Sequence, residues 1–315
     1  MRKILGVILT IIIAIIVGAW LKLRGPDIPF ATLETKYAGA DSHYVDLSGG
    51  YRAHYREAGD PALPTLVLLH GFADSFTTWE GWVAALKPQF HIISVDFPGH
   101  GLTRAPAGST LSGERLADFV DAFAARLALP KFAVAGNSMG GGAAWQLAVR
   151  HPDRVSALIL VDAAGFANEK PPGDEPLGFK ILRFRIGRQI LSKIDNRPLI
   201  EQGLKADVYD KTLITPFIVD RFAEFQRAPG HREILMSVAM GPQTVSTADL
   251  LATVKVPTLI LWGESDPLIE PKAGQKFAAA IAGSKLITYP KVGHLPQLEI
   301  PQRSAADVAA FLKPN

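Results

Sequence analysis

Ser138 stands among glycines in Gly136-Asn137-Ser138-Met139-Gly140, and Gly141 and Gly142 follow at once. The segment joins an apolar run, Phe132 to Ala135, to a stretch from Ala143 to Ala148 that reads as a helix. A sharp strand-to-helix turn forces its central serine into strained backbone. It also brings the residues two before and two after it so close that side chains would clash, hence glycine at 136 and 140. Such an elbow exposes the Ser138 hydroxyl at the carboxyl end of a strand and aims the free N–H groups of the next helix at it. The chemistry this suits is nucleophilic attack through a covalent intermediate. A phosphate-cradling loop would read G-x-x-x-x-G-K-[ST], and no lysine follows these glycines; the dinucleotide fingerprint G-x-G-x-x-G is not matched either. Because the chain holds 28 glycines, the pentapeptide alone is a weak signal, and its place between strand and helix carries the weight.

A serine hydroxyl is a poor nucleophile and needs a base, itself oriented by an acid. On a sheet carrying such an elbow, the order along the chain is serine, acid, histidine. Of eight histidines, His43, His54, His70, His91 and His100 precede the serine. His151 falls at the far end of the helix that Ser138 opens, and His231 falls in a helical stretch. His294 follows an apolar strand-like run, in Pro290-Lys291-Val292-Gly293-His294. The acid expected from the preceding strand is Asp266, in Gly263-Glu264-Ser265-Asp266, with Glu264 and Asp162 in reserve. An oxyanion intermediate needs preorganised N–H donors. The expected donors are the Met139 amide, next after the nucleophile, and the Phe72 amide, in the loop after the strand Thr65 to Leu69. His70 and His100 read as loop-bracing residues.

These groups must be positioned by alternating strands and helices. Tyr51 to Glu57, Thr65 to Leu69, His91 to Val95, Lys131 to Ala135 and Val155 to Val161 read as strands. Thr77 to Leu86, Leu111 to Leu127 and Met139 to Arg150 read as helices. This alternation means parallel βαβ units with helices on both faces of a mostly parallel central sheet. From Gly165 to Met240 no strand-like run occurs, and Leu177 to Ile194 and Pro216 to Arg227 read as helical. The alternation resumes with Pro257 to Trp262, Pro271 to Ala282, Lys285 to Tyr289 and Arg303 to Leu312. The expected organisation is therefore an N-terminal anchor over 1–24, a linker over 25–40, a core over 41–164 and 248–315, and a helical insertion over 165–247. Pro26 and Pro29 mark the linker.

The anchor rests on Ile4 to Leu21, which carries no charged residue and reaches the lower length for a membrane span, about 17 residues. Trp20 sits at its outer edge, as an interfacial aromatic would. A cleaved signal peptide would have a shorter apolar stretch and a small-residue cleavage site, which Ala19-Trp20-Leu21-Lys22 matches poorly. Arg2 and Lys3 on one side balance Lys22 and Arg24 on the other, so the side of the membrane stays open, as does the oligomeric state. The formal charge is +3 with no long basic run, so nucleic acid is not an expected partner. Cysteine is absent, which excludes disulfides, cysteine-ligated zinc and a thiol nucleophile.

Together the segments "LLHGF" at 68–72, "DFPGHG" at 96–101, "GNSMGG" at 136–141, "GESD" at 263–266 and "VGHLPQLEIP" at 292–301 resemble the α/β-hydrolase superfamily, over roughly residues 40–315. "GNSMGG" is similar to two branches: membrane-anchored bacterial lipases with monoacylglycerol-lipase-like enzymes, and hydrolases of meta-cleavage products that cut C–C bonds. The second branch typically shows glycine and proline soon after His-Gly, where this chain has Phe72-Ala73-Asp74-Ser75. The resemblance implies an α/β-hydrolase fold with a helical cap inserted after strand 6 and an N-terminal transmembrane helix. It implies a serine hydrolase of carboxylic esters, lipase- or esterase-like, in the bacterial inner membrane. Its substrate would be a small-molecule or lipid ester, and it would need no cofactor and no metal. A C–C hydrolase on the same residues and a non-catalytic binding protein are the alternatives. Gly141 and Gly142 lie outside the elbow's requirement and are expected to let the helix pack closely on neighbouring strands, at a propensity cost of about 1 kcal/mol each.

Overall fold

Along the central strands, successive side chains are buried on opposite faces of one sheet. Val67 and Leu69 of β3 (Thr65–Leu69) join one cluster, Leu66 and Leu68 the other. The same division holds in β5 (Phe132–Asn137), β6 (Val155–Val161) and β7 (Thr258–Gly263). Burial on both faces is why these runs are almost continuously apolar. The computed structural model describes residues 8, 10, 11, 14, 17, 18, 20, 21, 23–166, 177–237 and 246–313.

The sheet has eight strands, adding β1 (Ser42–Leu47), β2 (Tyr51–Ala58), β4 (His91–Val95) and β8 (Lys285–Tyr289). Their order is β1-β2-β4-β3-β5-β6-β7-β8; β2 runs antiparallel to both β1 and β4, and every other pairing is parallel. On one face pack α3 (Gly113–Arg126), α4 (Met139–Arg150) and α11 (Pro271–Ala280), through Phe119, Trp145 and Phe277. On the other pack α2 (Glu80–Leu86) and α13 (Pro301–Leu312), through Trp82 and Val308. The Trp82 indole N–H donates to Ser304 Oγ at 2.8 Å and ties these two helices together.

Three local readings need correction. β1 is not visible as a strand in the sequence, because it lies at the sheet edge, half-exposed, with serine, histidine and aspartate among its residues. The expected linker over 25–40 contains a helix, α1 (Phe30–Tyr37). Pro29 does not break it but precedes it at the N-cap, where its missing N–H costs nothing. Leu33 of α1 is fully buried against Phe76, Leu102, Phe225 and Ala228, so tertiary packing holds a helix with a weak pattern of its own. The stretch Leu177 to Ile194 is two helices, α5 (Leu177–Leu182) and α6 (Arg185–Leu191), broken at Phe184, which is extended. The reversal lets Gly187 approach the Ile181 carbonyl, where a Cβ would stand 2.2 Å away. Arg188 donates to the Leu182 carbonyl at 2.7 Å and so caps α5.

Between β6 and β7 the described residues form α5, α6, α7 (Arg197–Asp207), α8 (Pro216–Gln226), α9 (His231–Ser237) and the short α10 (Ala248–Leu251). Residues 167–176 and 238–245 of the expected cap lie outside the described residues. So does most of 4–21; among the described residues no helix is long and apolar enough to cross a membrane. Where the chain leaves that segment it pairs with the insertion. Gly25 N–H donates to the Lys193 carbonyl at 2.9 Å, and Asp195 N–H to the Leu23 carbonyl at 2.8 Å. The short last strand β8 is followed by α12 (Pro296–Glu299) and then α13, which brings the His294 segment to the carboxyl end of the sheet.

Candidate active site

Ser138 joins β5 to α4 with φ 52° and ψ −118°, outside the ordinary regions for an L residue. The bend is held from both sides. Ser138 N–H donates to the Val161 carbonyl at 3.0 Å, and its own carbonyl accepts from Gly142 N–H at 3.0 Å and Ala164 N–H at 2.9 Å. A Cβ on Gly136 would stand 2.2 Å from the Gly140 carbonyl oxygen, and one on Gly140 would stand 2.2 Å from that of Leu69. Both glycines are therefore backbone-to-backbone contacts. Of the remaining two, Gly141 packs on β5 as expected, where a Cβ would stand 2.9 Å from the Gly136 carbonyl oxygen, while Gly142 faces the segment beyond β6. Gly141 lies against Ala163, just beyond β6, where a Cβ would meet the Ala163 methyl at 2.5 Å; Gly142 has 3.3 Å to the Ala164 carbonyl.

His294 Nδ1 donates to Asp266 Oδ2 at 2.7 Å, and both side chains are buried. Asp266 Oδ1 accepts from the N–H groups of Leu268, at 2.7 Å, and Ile269, at 3.0 Å. The carboxylate is thus fully engaged and fixed in orientation. Burial alone would lower the His294 pKa. The Asp266 charge, its hydrogen bond, and the charges of Asp207 and Asp74 outweigh burial and raise it above 6.5. Of the two reserve acids, Asp162 lies beside the Asp266–His294 pair and Glu264 stands apart from it. Glu264 accepts from Thr288 Oγ1 at 2.8 Å on the surface, and Asp162 Oδ1 accepts from Gly263 N–H at 2.9 Å. Burial first, and then the neighbouring Asp266 charge, push the Asp162 carboxyl well above the usual carboxylate range. Asp162, Asp266 and His294 could each offer a ligand atom within 4.8 Å of one another. The Asp266 oxygens are already taken by three N–H donors, and the His294 nitrogen facing them carries a proton, so this donor set does not suit a metal ion.

Ser138 and His294 line one cavity with Phe72, Asp74 and Asn137 on its core side and Leu199, Leu204 and Asp207 on the insertion side. Among the described residues no hydrogen bond joins Ser138 Oγ to His294, although both line the same cavity. Met139 is the first residue of α4, so its N–H belongs to the helix end that has no intrahelical partner. Phe72 follows the turn braced by His70, whose Nδ1–H donates to the Gly71 carbonyl at 2.7 Å while Nε2 accepts from Phe97 N–H at 3.0 Å. His100 Nδ1–H donates to the Pro98 carbonyl at 2.9 Å. Burial lowers the pKa of both rings and keeps them neutral braces.

Four residues escape the sequence reading. Asn137 Nδ2 donates to the His294 carbonyl at 3.0 Å and ties the histidine loop to the strand that carries the serine. Asp74 and Asp207 stand on the cavity wall, pushed up by burial to about 7 and about 6. Glu299 binds the histidine loop from α12. Asn137 and Asp207 meet His294 only across the fold, and Glu299 reaches Tyr209 and Asp210 in the same way, so no local spacing announces them.

The model of the alpha/beta hydrolase family matches residues 66–310. The chain is 28% identical over 281 residues to a monoacylglycerol lipase of Xenopus laevis, covering 84% of this chain and 80% of the relative. It is 27% identical over 256 residues to a 2-hydroxy-6-oxononadienedioate/2-hydroxy-6-oxononatrienedioate hydrolase of Comamonas testosteroni, covering 79% of this chain and 87% of the relative. The crystal structure of a membrane phospholipase A, a bacterial virulence factor, matches with a TM-score of 0.72 and 25% identity, over 99% of this chain and 97% of that one.

The elbow yields a differential prediction. Gly141→Ala must push Ala163 and is expected to destabilise by roughly 1–3 kcal/mol through overpacking. Gly142→Ala needs the Ala164 carbonyl, 3.3 Å from the new Cβ, to give by a few tenths of an ångström but regains helix propensity, so it is expected to be neutral within about 0.5 kcal/mol. Urea unfolding of the two variants decides the matter, and equal losses would refute the assignment.

Proposed function

This chain belongs to the alpha/beta hydrolase family, and on that premise we propose that it is a serine hydrolase of carboxylic esters acting on a neutral, lipid-like substrate such as a monoacylglycerol. The observation that carries the reading is the Asp266–His294 hydrogen bond on the wall of the cavity that Ser138 also lines. In the proposed reaction His294 takes the Ser138 proton while Oγ attacks the ester carbonyl. The Met139 and Phe72 amides hold the oxyanion. Asp266 keeps the imidazole oriented and stabilises its charged form. The carbonyl reforms, the C–O bond to the alcohol breaks, and His294 gives the alcohol its proton. Water then loses a proton to His294, attacks the acyl carbon, and releases the acid and the free serine.

The cavity favours an ester over the C–C alternative. Its lining is mainly leucine, isoleucine, phenylalanine and glycine, and among the described residues it holds Asp74 and Asp207 but no lysine or arginine. The Comamonas relative is named for dioate substrates. A dianion entering here would meet two carboxyls and, among the described residues, no lysine or arginine, whereas a neutral acyl chain meets apolar walls. The likeness to a monoacylglycerol lipase and a membrane phospholipase A supports a lipid ester. We also propose an inner-membrane location through the uncharged run 4–21, which would hold the enzyme where such esters concentrate.

Three measurements test this reading. A fluorophosphonate probe is expected to label the wild type and not Ser138→Ala, with kcat on a neutral p-nitrophenyl ester falling at least about 1,000-fold in that variant. An unlabelled, folded wild type, or faster turnover of a dioate C–C substrate than of neutral esters, would sink it. The acid limb of kcat/KM reports the base that must be neutral, so it is expected above pH 6.5. Asp207→Asn removes one charge that raises His294 and is expected to move the limb to lower pH; an unmoved limb contradicts this assignment. For the location, the full chain should stay with bacterial inner membranes through alkaline carbonate washing, and release into the supernatant excludes a spanning anchor.

A further inference from the structure

The loop that carries His294 is held by the helical insertion as well as by the sheet. His294 N–H donates to the carbonyl of Asp207, the last residue of α7, at 2.7 Å. Gly293 N–H donates to Glu299 Oε1 at 2.7 Å. The other oxygen, Glu299 Oε2, accepts from the N–H groups of Tyr209, at 2.8 Å, and Asp210, at 3.4 Å, which follow α7. One half-buried carboxylate thus bridges the histidine loop and the end of α7. The approach is backbone to backbone: a Cβ on Gly293 would stand 2.3 Å from the Asp207 carbonyl oxygen and 2.9 Å from Val208 Cα. Beside it, Leu204 and Val208 of the insertion pack with Leu295 and Leu298.

The core side of the loop is held separately. Ser265 N–H donates to the Val292 carbonyl at 2.9 Å, and Asn137 Nδ2 to the His294 carbonyl at 3.0 Å. So the His294 N–H answers directly to the insertion and the Gly293 N–H answers to it through Glu299, whereas the Val292 and His294 carbonyls answer to the core. From this division we infer that Glu299 is a positioning residue that latches the cap to the histidine loop, so that the imidazole is aligned toward Ser138 only while the end of α7 is docked.

A carboxylate suits this task because it accepts on both oxygens at once, and its charge strengthens each bond. An amide offers one acceptor oxygen and could serve only one side. A small displacement of a catalytic base is expensive in rate, because its geometry must be met to within a fraction of an ångström.

The inference rests on the serine-hydrolase reading, and the test separates the two. In the full-length protein, fluorophosphonate titration counts the competent sites, and kcat and KM on a short-chain p-nitrophenyl ester are measured per titrated site. Glu299→Ala is expected to lower kcat per site by about 10- to 100-fold, with KM changed less than about threefold. Glu299→Gln is expected to fall in between. Tyr209→Pro removes the shorter of the two cap-side bonds, leaving the 3.4 Å contact from Asp210, without touching Glu299, and Val208 before it already lies in the extended region that a following proline requires. Its kcat per site should fall in the same direction. Fewer titratable sites with unchanged kcat per site would mean a merely structural role and would overturn the latch. If Glu299→Ala does not fold, an unchanged kcat per site in Tyr209→Pro overturns it instead. A wild type that cannot be titrated refutes the hydrolase reading itself, a result distinct from either.

Discussion

Ser138 is held in a left-handed backbone conformation that costs an L residue on the order of 1–3 kcal/mol, and much of the surrounding structure exists to hold it there. The constraint propagates outward. Gly136 and Gly140 must lack side chains because the chain doubles back on itself and on Leu69. β5 must lie between β3 and β6, because the Val161 carbonyl and the Ala164 N–H are the partners that satisfy the strained residue. The strain is local, and the hydrogen bonds that hold it come from β6, from the segment just after β6 and from α4.

The second requirement is electrostatic. A buried imidazole is useful as a base only if something compensates the charge it gains. Asp266 does so directly, and two backbone N–H groups fix the carboxylate so that it cannot swing away. Asp162 sits close enough to Asp266 that a second full charge there would be costly, and burial leaves that carboxyl protonated more readily than an ordinary aspartate. The fold therefore places beside the histidine one carboxyl held by N–H donors and a second whose ionisation burial opposes. Asp74 and Asp207 add weaker negative potential from the cavity wall, and both are themselves pushed toward neutrality by burial.

The insertion between β6 and β7 gives the site its apolar lining and completes the hydrogen bonding of the histidine loop. Its helices are individually short, and their cohesion comes from contacts with the core: Leu295 joins the cluster of Leu204 and Val208, while Phe225 and Ala228 pack on Leu33 and Phe76. That dependence explains why the region was the least legible. α1 has too few apolar residues in register to announce itself, and the break between α5 and α6 is stabilised by Arg188 reaching back to a carbonyl, an arrangement no periodicity contains.

What the sequence by itself determined is whatever follows from short-range physics. Runs buried on both faces had to be apolar throughout, so the central strands and the helices between them could be read off. An elbow with no room for Cβ atoms had to place glycine at 136 and 140. The pairing of Asp266 with His294 could also be anticipated, since each follows a buried strand and strand ends converge on one edge of the sheet. The tertiary structure alone decided which polar groups meet across long sequence separations. Asn137 to His294, Asp207 to His294, and Glu299 to the peptide after α7 depend on the relative placement of elements that no local pattern encodes. It decided the direction of the His294, Asp74, Asp162 and Asp207 shifts as well, because burial and neighbouring charge are properties of the folded interior and not of the chain.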